Sequence, residues 1–242
     1  MSTPVKDPNV ATFSGRFSYP TINEKQRLHA EQKRKQNPKP GEENKSTGFG
    51  WSVIIDKETG AADIDKAWEI IKRVAAEEPK WANKIVMVKG RKDPLVNQAN
   101  PKAEKVVLMG IALHDGEDKA DKAGYGDHVM YISANRPVSK GPPAVKDKSL
   151  QDIRAEEAHY PYAGCYVKVS MRFWSQDNEY GKRVNAEARV VVFDKHGEPF
   201  GEAPVDAESD FAGVDLDGDD ESAPAPKAKP AAVKKELSID DM

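Results

Sequence analysis

The stretch Ala163-Gly164-Cys165-Tyr166-Val167-Lys168-Val169-Ser170-Met171-Arg172-Phe173-Trp174 decides the fold, because apolar residues recur in it at every second position. Successive side chains of an extended strand point to opposite faces. Ala163, Cys165, Val167, Val169, Met171 and Phe173 therefore form one side, and Gly164, Tyr166, Lys168, Ser170, Arg172 and Trp174 the other. The first set suits a core. The second places two cations among aromatic rings on an exposed sheet face, where phosphates of a single strand can follow the cations while bases stack on the rings. An ordinary half-buried antiparallel strand also carries Lys and Tyr on its wet side, so the alternation fixes the strand and leaves its partner open.

Working outward, Val184 to Phe193 repeats the pattern, with Val184, Ala186, Ala188, Val190 and Val192 inward and Asn185, Glu187 and Arg189 outward. Between the two runs, Ser175 to Arg183 reads as a polar connection. Ala11 to Tyr19, Phe49 to Asp56, Ile85 to Val88, Val106 to Leu113 and Val129 to Asn135 read as further strands. The clearest helix starts at Asp63 or Asp65 and ends before Pro79, with Ile64, Trp68, Ile71 and Ala75 at helical spacing. Asn23 to Lys35 is compatible with a polar helix, and Leu150 to Ala158 with a helical turn or two. Trp68 and Trp81 read as packing residues of helix and strand, and Trp51 as core. Many short strands around one principal helix predict a mainly β chain, an OB-fold-like antiparallel barrel; a β-sandwich fits the same pattern.

The chain of 242 residues carries a net charge of −3, unevenly divided. Residues 206–242 hold 11 carboxylates and 4 lysines, a net of −7, which leaves residues 1–205 at +4. This asymmetry points to a polyanionic partner for the body and an interaction segment at the end. Three parts are expected: a flexible lead over residues 1–10, one domain over 11–205, and a disordered acidic tail over 206–242, too polar to offset its ordering entropy. Cys165 is the single cysteine and excludes an internal disulfide. No apolar run approaches the ~20 residues that span a bilayer, and Met1 to Asn9 lacks the apolar core of a signal peptide, so a cytoplasmic protein without a membrane partner is expected.

Catalytic patterns are weak. His114, Asp115, Glu117, Asp118, Asp127 and His128 suggest a divalent-metal nuclease, but they alternate with Lys119, Lys122 and glycines in what reads as a solvated loop. An EF-hand loop from Asp215 would want Gly where Asp220 stands and Glu where Pro226 stands. Gly181-Lys182 lacks the remainder of a phosphate loop. The reading is a non-enzymatic binding protein with no metal and no cofactor.

Four stretches occur in a fixed order. They are Gly124-Tyr125-Gly126-Asp127-His128, Ser133-Ala134-Asn135-Arg136-Pro137, YAGCYVKVS at 162–170, and Gly197-Glu198-Pro199-Phe200-Gly201. Together with the opening Phe17-Ser18-Tyr19-Pro20, they resemble the single-stranded-DNA-binding proteins of tailed phages, over roughly residues 11 to 211. The segment 24–46 and the loop 90–105 are longer than that pattern. The resemblance implies an OB-fold protein that coats single-stranded DNA in phage replication or recombination without strong sequence preference, and whose tail recruits replication or recombination partners. A single-strand annealing mediator is the nearest alternative.

Tyr166, Arg172 and Trp174, with Lys168 beside them, are the first expected contacts. Tyr125, Tyr131 and Arg136 join them partly on the resemblance, and Lys89, Arg91, Lys182, Arg183 and Arg189 are expected to track phosphates. Leu237, Ile239, Asp240, Asp241 and Met242 are the expected docking tip of the tail. Duplex DNA is expected to bind more weakly, and self-association is left open.

Overall fold

The computed structural model describes residues 7–37 and 47–201. In chain order the elements are β1 (Val10–Thr21), α1 (Glu24–Gln36), β2 (Phe49–Asp56), α2 (Ala61–Glu77), β3 (Ile85–Val88) and β4 (Lys105–Leu108). They are followed by β5 (Gly110–Ile111), β6 (Leu113–Asp115), β7 (Val129–Arg136), β8 (Ala144–Lys146), β9 (Tyr166–Asn178) and β10 (Gly181–Lys195).

β1, β2, β7, β9 and β10 make a closed five-stranded barrel. β1 pairs antiparallel with β2 and with β9, β2 with β7, and β9 with β10. The ring closes where β10 meets β7 in parallel, with Glu187 opposite Asn135. The mainly β barrel that the alternation predicts is therefore present. Period-two burial fills it: Val167, Val169, Met171 and Phe173 of β9 face in with Phe13 and Phe17 of β1, Val53 and Ile55 of β2, and Val184, Ala186 and Ala188 of β10. Trp51 is buried among them, and burial pushes the Cys165 thiol up to about 11. α2 adds Ala67, Ile70, Ile71, Val74 and Ala75 to the same core. It ends at Glu78, extended because the residue before a proline avoids the helical region.

The polar helix compatible with Asn23 to Lys35 is present as α1, where Asn23 accepts the Gln26 amide as an N-cap and Arg27 links Glu24 and Glu31. Other local expectations are corrected. The run 106–113 is broken into β4, β5 and β6 because it serves three partners in turn, β3, β10 and β7. Ser175 to Arg183 is paired strand rather than a connection, with Asn178 opposite Gly181 across a two-residue turn. Backbone pairing there needs no apolar periodicity. Leu150 to Ala158 is not helical: Asp147 accepts the amides of Ser149 and Gln151, a local bond that competes with helix formation, and Leu150 has φ 62°. Trp81 lies in a short 3₁₀ turn, its indole donating to Asp177 at 2.7 Å. Among the described residues, no helix is long and apolar enough to cross a membrane. Residues 202–242, including the expected docking tip Leu237, Ile239, Asp240, Asp241 and Met242, lie outside the described residues, as does the start of the expected lead.

Candidate nucleic-acid interface

The outward face of β9 carries the residues that the alternation assigns to it. Tyr166 and Ser170 are half-buried, Lys168 and Arg172 exposed, and Trp174 is 42 % exposed. Eight residues of strand separate Tyr166 from Trp174, ~26 Å at ~3.3 Å per residue. The two rings are therefore ends of a path, and their surroundings differ.

At the Tyr166 end the ring is covered. Lys195 lies 4.6 Å from its centroid and Arg16 5.7 Å, while Arg16 donates to the carbonyls of Gly164 and Glu198 and stacks 4.3 Å over Phe200. The segment 196–200 is thereby strapped across this part of the barrel. In the middle, Arg172 Nε donates to Asp7 Oδ2 at 2.8 Å. The Asn9 amide, and after it Arg172 and the charge of Arg189, hold the Asp7 carboxyl below the usual carboxylate range. Arg172 is thus already paired, and Arg189 contributes to the same carboxylate's field.

At the Trp174 end a groove of about 1320 Å³ opens. Its four cations come from three places in the chain: Lys89 and Arg91 from the loop after β3, Arg136 from the end of β7, and Arg183 from β10. Sheet register brings them together. Arg183 lies opposite Gly110 of β5, Asn185 opposite Trp174, and β7 runs alongside β10. Trp68, Met109 and Met130 add apolar lining. Arg136 is tied down as well, donating to Glu187 at 3.1 Å and to the Gly141 carbonyl at 2.9 Å, while Lys140 reaches the same carboxylate at 2.8 Å. Asp115 and Asp118 also line the groove, and Lys57 pairs Asp115 at 3.1 Å. Lys182 and Arg189 fall outside the lining, as do Tyr166, Lys168 and Arg172. Arg172, Glu187 and Arg189 share one outward patch beside it.

Tyr125 and Tyr131 are placed differently from the surface position expected of them. They are 7 % and 5 % exposed and form a second apolar cluster with Ile54 and Val129, covered by Phe200. Tyr125 donates to Ser18 Oγ at 3.1 Å, and Lys119 Nζ sits 4.3 Å over Tyr131, 5.1 Å over Tyr125 and 5.0 Å over Tyr19. Burial pushes Tyr131 up to about 12 and lowers Lys119. The loop that supplies Lys119 thus closes over rings whose local sequence, rich in Gly and Asp, reads as solvated. His114 stacks on Tyr131 at 4.8 Å and faces the groove, and burial lowers its pKa. Among the described residues, no three His, Cys, Asp or Glu side chains converge as metal ligands.

Trp68 is the functional candidate that sequence reasoning missed. Its helical spacing with Ile64, Ile71 and Ala75 suggests core, yet Ala67, Ile70, Ile71, Val74 and Ala75 complete the buried stripe of α2 and leave the indole half-buried on its flank. The basic loop after β3 then meets it: Arg91 Cζ is 4.2 Å from the ring centroid.

Known proteins show the same arrangement of strands. The family profile described as Enterobacter phage Enc34, ssDNA-binding protein, matches residues 16–222. A protein of Acyrthosiphon pisum secondary endosymbiont phage 1, named putative protein p50, is 36 % identical over 90 residues, which are 37 % of this chain and 45 % of that protein. The match thus spans less than half the length of that curated relative. Among solved structures, the single-stranded DNA-binding protein from bacteriophage Enc34 in complex with ssDNA superposes with a TM-score of 0.56 at 24 % identity, over 81 % of this chain and 91 % of that one. The same phage protein without DNA gives 0.52 at 24 % identity, over 84 % and 90 %.

Proposed function

The chain belongs to the family of the Enterobacter phage Enc34 ssDNA-binding protein, and on that footing we propose that it binds single-stranded DNA without strong sequence preference, coating and protecting it during phage replication or recombination. The observation that carries this reading is the groove: one cleft in which Trp174 stands among Lys89, Arg91, Arg136 and Arg183. Cations at its rim neutralise phosphates, and an exposed indole stacks bases of any identity. The function is binding, not chemistry. Its place is the cytoplasm of the host, where single-stranded phage DNA occurs.

Bases stack first on Trp174, and the strand leaves the groove along the β9 face past Lys168 towards Tyr166. Arg172 joins only if it exchanges Asp7 for a phosphate. Tyr125 and Tyr131 support the barrel face rather than meet bases. Duplex DNA binds more weakly, because its stacked bases cannot reach the indole. The acidic segment 206–242, tethered to a body of opposite charge, competes with DNA for the same cations and recruits partner proteins through Leu237, Ile239 and the flanking acids.

Anisotropy titrations with labelled single-stranded DNA, duplex DNA and RNA of one length test this reading. The expected order is single-stranded DNA well ahead of duplex, with quenching of tryptophan fluorescence on binding. Equal affinity for duplex and single strand, without quenching, would refute it.

A further inference from the structure

A smaller cavity of about 250 Å³ adjoins the groove, lined by Trp68 and Lys72 of α2 and by Arg91, Asp93, Pro94 and Leu95 of the loop after β3. Trp68 and Arg91 line both spaces, so their side chains form the wall between them. That wall is already a stack. The Arg91 guanidinium lies 4.2 Å over the indole, and the indole is packed against the barrel core, which keeps the pair in place. A guanidinium plane is itself a surface on which unstacked bases settle in single-stranded recognition.

Size and edge chemistry narrow the occupant. The volume is below the ~300 to 1,000 Å³ of sites that enclose whole drug-sized ligands, and so suits a base without its sugar and phosphate. Asp93 and Lys72 are exposed at this cavity and, among the described residues, make no ion pair and no side-chain hydrogen bond. A free carboxylate accepts from an exocyclic amino group, the pairing by which Asp reads cytosine N4, whereas thymine presents the O4 carbonyl at that edge.

We propose that this cavity takes one nucleobase turned out of the groove-bound strand, stacked on Arg91 with Trp68 behind it, and that Asp93 selects cytosine over thymine there. The inference rests on the reading of the groove as a single-stranded-DNA site. It adds a single selective position to a binder that is otherwise sequence-tolerant.

The test compares a labelled thymidine tract of about 12 nucleotides, within the span that one OB-fold covers, with the same tract carrying one central cytidine. The full-length protein should bind the cytidine-containing strand about fivefold tighter, the lower end of discrimination by one good base contact. Asp93→Asn, whose amide can donate to thymine O4 as well as accept from cytosine N4, should reduce that ratio to near one. Arg91→Lys keeps the charge but removes the planar surface, and should also abolish the ratio. Equal binding of both strands by the unaltered protein, with the thymidine tract bound tightly, would overturn the base pocket and leave the groove reading standing. Failure of both strands to bind would overturn the two together.

Discussion

Replacing Trp174 with alanine separates stacking from charge. The indole is 42 % exposed, sits opposite Asn185 across the β9–β10 ladder and projects into the groove. Its truncation leaves the barrel interior intact, so the stability loss should be ~1 kcal/mol, small against the ~5 to 15 kcal/mol that holds a domain folded. The binding loss should be larger: one base–ring stack is worth ~1 to 3 kcal/mol, about 5- to 150-fold in Kd. Charge predicts a different observable. Among the described residues, Lys89, Arg91 and Arg183 are the groove cations that form no side-chain ion pair, whereas Arg136 is held by Glu187. Three neutralised phosphates at ~0.7 each give a log–log salt slope of about −2. Anisotropy titrations at four or five salt concentrations, with thermal unfolding as a control, should give for Trp174→Ala a line parallel to that of the unaltered protein and displaced to weaker binding. Arg183→Ala should instead flatten the slope by ~0.7. A folded Trp174→Ala protein with unchanged affinity would remove the ring from the site; one with a flatter slope would mean that its loss had disrupted the cation cluster rather than a stack.

Other perturbations follow from the same geometry. Glu187→Gln releases Arg136 and Lys140 from their common carboxylate, so single-stranded DNA should bind more tightly at low salt with a slope steeper by up to ~1.4; titration at two ionic strengths checks this, and calorimetry should show the accompanying loss of stability. Burial depresses the His114 pKa, opposed by Asp118 and aided by Lys119. The unfolded chain therefore binds the proton first, and the stability contributed by neutral His114 is full above about 6.5 and is lost as the pH falls below it towards the folded value. Thermal unfolding at pH 7 and pH 5.5 should show that loss, and His114→Phe, which keeps the ring stack on Tyr131, should reduce it. A chain ending at Pro204 loses the net −7 of residues 206–242; it should bind both single-stranded and duplex DNA more tightly, most of all where screening is weak. Equal or weaker binding would sink the competition.

The barrel was legible wherever one face of a strand is wet and the other dry. Val167 to Phe173 and Val184 to Ala188 alternate because each β9 or β10 residue sees either core or solvent, and burial follows that alternation. The paired continuation from Ser175 to Arg183 was not legible, since a hairpin beyond the core has no apolar face to impose a period. The site was legible by residue type and not by neighbourhood. Trp174 and the basic residues 89, 91 and 183 share a cleft only because β5 and β7 both flank β10, a pairing that no local pattern encodes. Long-range ion pairs are equally silent in sequence: Asp7 on Arg172 and Glu187 on Arg136 link residues far apart in the chain and withdraw cations from the expected set. Tyr125 and Tyr131 were expected at the surface partly on the resemblance; Ile54, Val129 and Phe200 pack around them and Lys119 lies over both rings, contacts between distant parts of the chain that no local pattern encodes.

The central claim is that single-stranded DNA occupies the cleft between Trp174 and the cationic loop after β3. Photocrosslinking tests it most directly. A thymidine tract in which iodo-deoxyuridine replaces one position at a time is irradiated in complex with the full-length protein, and the linked peptides are identified by mass spectrometry. Crosslinks at Trp174 and at Trp68, with further links in residues 89–91, are the predicted result. Crosslinks confined to Tyr166 and the 196–200 strap, with none at either indole, would contradict it.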